Sequence, residues 1–85
     1  MVSHIWITKG RNYNASIRLI SESIRREPDN ATAFYVRGLA WRKKGIYYKA
    51  IADFDMAIAI NPNFTQAITM RNKVVEKQRK AATDQ

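Results

Sequence analysis

Residues 31–64 read ATAFYVRGLAWRKKGIYYKAIADFDMAIAINPNF, and this stretch decides the fold. Apolar and small residues recur in it every three or four positions, which is the period of an amphipathic α-helix. The first run follows Asn30, which is of a type that commonly caps helices, with Asp29 as the other candidate cap, and it ends before Gly45. The second run stops before Pro62, because proline cannot continue a helix. The stretch therefore predicts two helices joined by a short turn, over residues 31–44 and 47–60.

The same pattern recurs along the chain at an offset of 34 residues. Pro28 and Pro62 are separated by this distance, and a shift of 34 also places Tyr13 on Tyr47. Agreement of apolar with apolar and small with small residues at one offset indicates an internal repeat. The periodicity predicts about five helical segments in all, over residues 2–9, 14–26, 31–44, 47–60 and 64–81.

Length and composition limit the class of protein. The chain has 85 residues, a formal net charge of +8 and no cysteine, which excludes disulfides and cysteine nucleophiles. Its three glycines and two prolines are too few for the turns of a β-sandwich or barrel. No apolar run approaches the roughly 18 residues of a membrane-spanning helix. Because the N-terminus also lacks the pattern of a signal peptide, the expected location is cytoplasmic, without membrane insertion.

Few side chains in the sequence have the chemistry of a catalytic or cofactor site. Asp53 and Asp55 are two positions apart on a predicted helix and point in different directions, so they are interpreted as part of a solvated face. His4 is the single histidine, and Ser16 and Ser23 have no histidine partner in the pattern. No glycine-rich phosphate loop occurs. The sequence therefore predicts no enzyme activity, no catalytic residue, no cofactor and no metal site.

Residues 31–64 resemble a complete tetratricopeptide repeat, a family in which each unit of 34 residues forms two helices. The positions that carry the resemblance are Phe34, Gly38, Trp41, Gly45, Tyr47, Ala50, Phe54, Ala57 and Pro62. Arg37 stands where the family usually has leucine, and this difference is given little weight. In the family, small residues such as Gly38 allow the two helices of a unit to approach closely.

The resemblance implies an all-α fold in which antiparallel helical hairpins stack as a short right-handed α-solenoid. Residues 1–85 would form a single domain. Residues 1–30 look like a repeat that has lost the start of its first helix. Residues 65–81 look like the first helix of a further repeat, converted into a capping helix, and residues 82–85 are expected to form a frayed tail.

The resemblance also implies a binding surface, because the first helix of each unit lines a concave groove in this family. The residues expected in this groove are Val2, Ile5, Lys9, Tyr35, Val36, Leu39, Arg42, Lys43, Met70, Lys73 and Lys77. The apolar members would form its floor and the cations one end, which favours an acidic peptide with apolar anchors. Some members of the family clamp the terminal carboxylate of chaperones with lysines and asparagines. That clamp is absent, since the matching places hold Met1, Ile5, Val36, Gln66 and Met70.

Two alternatives to a peptide groove remain open. The N-terminal segment is apolar where repeat arrays normally carry a polar cap, so it could self-associate and make the chain a homo-oligomeric scaffold. Residues 37–49 contain five cations and no acid, as in a basic RNA-binding helical module. Base stacking would need free aromatic rings, but Trp41 and Tyr47 are required for packing, which leaves Tyr48. The sequence therefore favours a protein–protein interaction module over nucleic-acid binding.

Overall fold

The computed structural model of the chain describes residues 13–83 and shows four α-helices and no strand in that part of the chain. The helices are α1 (Tyr13–Arg26), α2 (Ala31–Lys44), α3 (Tyr47–Ile60) and α4 (Thr65–Thr83). Each helix packs against the next, so that α3 lies between α2 and α4. Short turns join them, which makes successive helices antiparallel. The all-α class is therefore confirmed.

Helix boundaries follow the local signals in the sequence. The bounds of α2 and α3 are those predicted, whereas α1 begins one residue earlier than expected. The last helix, α4, begins one residue later than expected and continues to Thr83, because alanines at its end favour helix and no glycine or proline stops it. The predicted segment over residues 2–9 lies outside the described residues.

Both ends of α2 are closed by hydrogen bonds. The side-chain Oδ1 of Asn30 accepts a hydrogen bond from the backbone N–H of Ala33, at 3.2 Å. At the other end, Gly45 adopts a left-handed backbone conformation with φ of 82°, and its N–H donates to the carbonyl of Arg42 at 2.9 Å. Glycine adopts this conformation without the steric cost of a β-carbon. The predicted cap and the predicted turn glycine are both confirmed.

We expect Asn30→Ala to lower the free energy of unfolding by about 1 kcal/mol, because the N–H of Ala33 loses its acceptor. Urea unfolding followed by circular dichroism measures the loss. Asn30→Asp keeps a side-chain oxygen at the cap and should stay within a few tenths of a kcal/mol of the parent. An Asn30→Ala curve that superimposes on that of the parent would contradict a capping role.

The core consists of two small clusters of buried side chains, one nearer the end of α3 and the other nearer its start. The first contains Phe34, Ala57 and Ala67, and the second contains Ala50, Phe54 and Val74. Tyr35 packs against both clusters, with its ring centroid 5.8 Å from that of Phe54 and 5.0 Å from that of Phe64. Four of the six buried residues are alanine or valine, so the helices approach closely and the aromatic rings fill the remaining space.

Gly38 on α2 lies directly against the side chain of Phe54 on α3. A β-carbon added to Gly38 would lie 2.6 Å from Cε1 and 2.8 Å from Cδ1 of Phe54. These distances are far below the 3.5–4.0 Å of ordinary carbon–carbon contacts. The ring of Phe54 therefore rests directly on the backbone of α2, which confirms the close crossing predicted at Gly38.

A buried ion pair joins α2 to α3. Nε and Nη2 of Arg37 donate to the two carboxylate oxygens of Asp53, each at 2.8 Å, and Nη1 donates to Oγ of Ser21 on α1 at 3.0 Å. Hydrogen bonding to Asp53 raises the pKa of Arg37 above its ordinary value, although burial acts in the opposite direction. Asp53 is only 4% exposed. The interpretation of Asp53 as part of a solvated face is thus wrong, because a guanidinium from the neighbouring helix compensates its charge.

The contact between Arg37 and α1 recurs one unit later along the chain. A shift of 34 residues places Arg37 on Arg71 and Ser21 on Asp55. In the structure Nε of Arg71 on α4 donates to Oδ1 of Asp55 on α3 at 2.6 Å, and both side chains are partly exposed. The arginine at this position thus reaches back to the preceding helix in both units.

Candidate functional site

Side chains of α2 and α4 together line two clefts, although α3 lies between the two helices. On α2, Tyr35, Leu39 and Arg42 follow one another at steps of four and three residues, so they share a face. On α4, Met70 and Lys77 share a face because two full turns separate them. We call the surface between these two faces the α2–α4 groove.

The apolar cleft occupies the end of the α2–α4 groove nearest the starts of both helices. It has a volume of about 200 Å³ and is lined by Tyr35, Thr65, Gln66, Thr69 and Met70. Tyr35 is half-buried and is held by its ring contacts with Phe54 and Phe64. Met70 packs against the second core cluster, and methionine adapts its shape to varied apolar partners. The cleft can therefore accept an apolar side chain of a ligand.

The basic cleft occupies the other end of the α2–α4 groove. It has a volume of about 250 Å³ and is lined by Arg42, Tyr47, Lys73, Val74 and Lys77. Val74 is buried, whereas Lys73 and Lys77 are exposed on adjacent turns of α4. None of the ion pairs among residues 13–83 involves the three cations of this cleft. Their positive charge is thus available to an anionic group of a ligand.

The structure divides the predicted groove residues between two faces of α2. Tyr35, Leu39 and Met70 pack against the same core cluster, and Arg42, Lys73 and Lys77 share the basic cleft. Val36 and Lys43 instead line a cleft of about 230 Å³ between α1 and α2, to which Leu39 also contributes. Each of these two residues follows a groove residue by one position, and one position turns about 100° around a helix. Val2, Ile5 and Lys9 lie outside the described residues.

Two side chains of the basic cleft were not among the predicted groove residues. Tyr47 opens α3 directly after the short turn from α2, so chain connectivity places it beside Arg42. Val74 follows Lys73 on α4, belongs to the second core cluster and also lines the basic cleft. The signal that could have identified Tyr47 is its position at the start of α3, directly after the turn from α2, because this turn brings it close to Arg42.

The aromatic side chains of α2 and α3 differ in how accessible they are. The Nζ atom of Lys49 lies 4.5 Å from the ring centroid of Trp41, and that of Lys44 lies 5.8 Å from it. These cation–π contacts occupy the ring of Trp41, which also packs against the second core cluster. Tyr48 is 65% exposed, as expected for the aromatic residue that packing leaves free.

The described residues include no group of three or more histidine, aspartate or glutamate side chains that could hold a metal ion. Among the helices within residues 13–83, none combines the length and apolar character needed to cross a membrane.

Comparisons with known proteins identify the repeat in the chain. Residues 31–64 match the model of the tetratricopeptide repeat family. Over 67 residues, the chain is 33% identical to the tetratricopeptide repeat and J domain-containing co-chaperone of Cryptococcus neoformans var. grubii. The aligned stretch covers 79% of this chain and 13% of that relative. The resemblance inferred from the sequence is therefore confirmed.

Proposed function

Since residues 31–64 form a tetratricopeptide repeat, we propose that the chain is a non-catalytic module that binds a segment of a partner protein in the α2–α4 groove. The proposed ligand is acidic and carries apolar anchors. In this proposal a truncated repeat over residues 1–30 and a capping helix over residues 65–81 flank the complete unit in a right-handed α-solenoid. The observation that carries the proposal is that the α2–α4 groove contains both an apolar cleft and a basic cleft whose cations form no ion pair among residues 13–83.

The energies of the two clefts indicate that a ligand must use both. Burial of one aliphatic side chain contributes about 1.5–3 kcal/mol, and an exposed ion pair contributes less than about 1 kcal/mol. Association costs at least about 4 kcal/mol in lost translational and rotational freedom. Neither contribution alone offsets this cost. The cations of the basic cleft should mainly orient the ligand and increase the rate of encounter.

We expect variants of the two clefts to affect binding differently. Peptides selected from a random display library by the immobilised chain serve as ligands. Thr69→Glu should weaken them about tenfold or more, because ligand binding would desolvate the new carboxylate beside an apolar cleft. Arg42→Ala combined with Lys73→Ala should mainly slow association and flatten its salt dependence. Stopped-flow fluorescence at several salt concentrations measures both effects.

Control variants separate these effects from changes in folding. Thr69 is exposed, and glutamate favours helix, so Thr69→Glu should unfold like the parent. Ala59→Glu adds the same charge to an exposed position of α3 outside the clefts and should leave affinity unchanged. Leu39→Glu should also weaken binding, because it places a charge against the core cluster that supports Tyr35 and Met70, and circular dichroism checks whether this variant folds. Selected peptides that bind Thr69→Glu as tightly as the parent would refute binding in this groove.

The three unpaired cations also favour a second candidate, an RNA-binding helical module. Lys49 covers Trp41, however, so the described residues offer Tyr48 as the exposed ring for base stacking. Binding of a single-stranded RNA oligonucleotide at several salt concentrations separates the two functions. Phosphate contacts give a decrease in log K of about 0.7 per contact for each tenfold rise in salt, whereas an apolar cleft gives little dependence.

A further inference from the structure

The two clefts have the same separation on both walls of the α2–α4 groove. Seven residues separate the apolar cleft from the basic cleft on α2, and the same number separates them on α4. Seven residues are about two helical turns, or about 10 Å along the axis. Both helices run from the apolar to the basic cleft, so the two walls are in register. The pairs that define this distance are Tyr35 with Arg42, Gln66 with Lys73, and Met70 with Lys77.

This distance discriminates between conformations of a bound segment. In a β-strand, side chains on one face are about 6.7 or 13 Å apart, neither of which matches the clefts. A polyproline II segment has three residues per turn and rises about 3.1 Å per residue, so residues i and i+3 lie on one face about 9 Å apart. An α-helix presents residues i and i+7 at about 10 Å. Two conformations therefore fit the spacing.

The small volume of each cleft favours the polyproline II conformation. Side chains of α4 and of α2 or its neighbour α3 line each cleft jointly around a volume of only 200–250 Å³. Such a gap accepts single side chains, whereas a helix with its side chains is about 10–12 Å across. Each cleft also contains a half-buried tyrosine, Tyr35 in one and Tyr47 in the other. Aromatic side chains are the usual lining of grooves that bind proline-rich segments.

We propose that the α2–α4 groove binds a polyproline II segment of a partner protein in which an apolar residue and an acidic residue are three positions apart. The apolar residue enters the apolar cleft and the carboxylate meets the unpaired cations of the basic cleft. This inference rests on the proposed function, which it deepens by fixing the conformation and the spacing of the ligand. A preformed polyproline II segment also loses little conformational entropy on binding, which suits shallow clefts.

Fluorescein-labelled proline peptides of about nine residues test the spacing against the intact 85-residue chain. Each contains one leucine and one glutamate, separated by two, three or four positions, in both orders along the peptide. Fluorescence anisotropy should show the separation of three binding about tenfold tighter than the others, in at least one order. An alanine-based helical peptide with leucine and glutamate seven positions apart provides the helical alternative and should bind more weakly.

Reversing the charge of one residue in the basic cleft tests whether the acidic residue of the peptide binds there. Lys77→Glu should weaken the best peptide about tenfold, and replacing glutamate by lysine in that peptide should restore binding to this variant. Arg18→Glu makes the same change in charge on an exposed part of α1 and should leave affinity within about twofold of the parent. Rescue by the exchanged charges is a result that a general effect on stability would not produce.

The possible failures separate this inference from the proposed function. If the display-selected peptides bind the groove while affinity for the proline peptides does not depend on spacing, the polyproline II inference is overturned and the proposed function stands. The same holds if the helical peptide binds tightest. If neither the selected peptides nor the proline peptides bind, both proposals fail.

Discussion

Gly38→Leu is expected to leave the chain without a cooperative unfolding transition. Even a β-carbon at this position would lie 2.6 Å from the ring of Phe54, and leucine adds three further carbons. Phe54 is fully buried, so its ring cannot move aside into solvent without disturbing the residues packed around it. Overpacking typically costs about 1–3 kcal/mol and occasionally more, which is a large share of the stability of so small a domain. Thermal and urea unfolding followed by circular dichroism measure the effect.

Gly38→Ala provides the quantitative version of this test. Alanine favours a helix interior over glycine by about 1 kcal/mol, whereas the clash with Phe54 costs about 1–3 kcal/mol. We expect the clash to dominate, so that stability decreases by up to about 2 kcal/mol. Combined with Phe54→Leu, the loss should be smaller than the sum of the two single losses by at least about 0.5 kcal/mol. A Gly38→Ala variant more stable than the parent would show that the two helices are not in close contact there.

The second large effect is expected from Arg37→Leu, although leucine is the usual residue of the family at this position. The variant leaves Asp53 buried at 4% exposure without the guanidinium that donates a hydrogen bond to each of its carboxylate oxygens. Removing one partner of a buried ion pair costs about 3–5 kcal/mol. Because the Arg37 side chain is 22% exposed, we expect a loss near the lower end of that range. Chemical unfolding at neutral pH measures it.

The double variant Arg37→Leu with Asp53→Ala tests the origin of that loss. It removes both charges, and replacing a buried ion pair by apolar residues is often neutral or stabilising. We therefore expect the double variant to recover most of the stability lost in Arg37→Leu. A double variant as unstable as Arg37→Leu would indicate that packing of the arginine side chain, rather than the stranded carboxylate, determines the effect.

The features of the fold that depend on neighbouring residues were predictable from the sequence. The boundaries of α2 follow from Asn30 and Gly45, whose hydrogen bonds involve groups within a few residues along the chain. The close crossing at Gly38 followed from the resemblance to the family, because that position must be small for the helices to meet. The burial of Asp53 was not predictable in this way, since its partner lies 16 positions away and only the packing of α2 on α3 brings them together.

The predicted groove was less accurate than the predicted fold for a geometrical reason. Residues were assigned to one surface, but Tyr35 and Val36 point about 100° apart and contribute to different clefts. The packing of the helices determines whether Tyr35 or Val36 points towards α4 and which of them points towards α1. Periodicity alone does not specify that packing. The residues of the basic cleft were mostly foreseen, because Lys73 and Lys77 recur on adjacent turns of one helix.

The recurring arginine attaches the first and the last of the four described helices through chemically different groups. In repeat proteins, stability is shared between the units and the interfaces between neighbouring units, so the attachment of each helix depends on its local contacts. Arg37 holds α1 through the neutral hydroxyl of Ser21, whereas Arg71 on α4 is held through the carboxylate of Asp55. Partly exposed charge pairs weaken as ions screen them, and hydrogen bonds to neutral groups do so much less. Rising ionic strength should therefore favour detachment of α4 over detachment of α1. The salt concentration thus influences which of these two helices unfolds first.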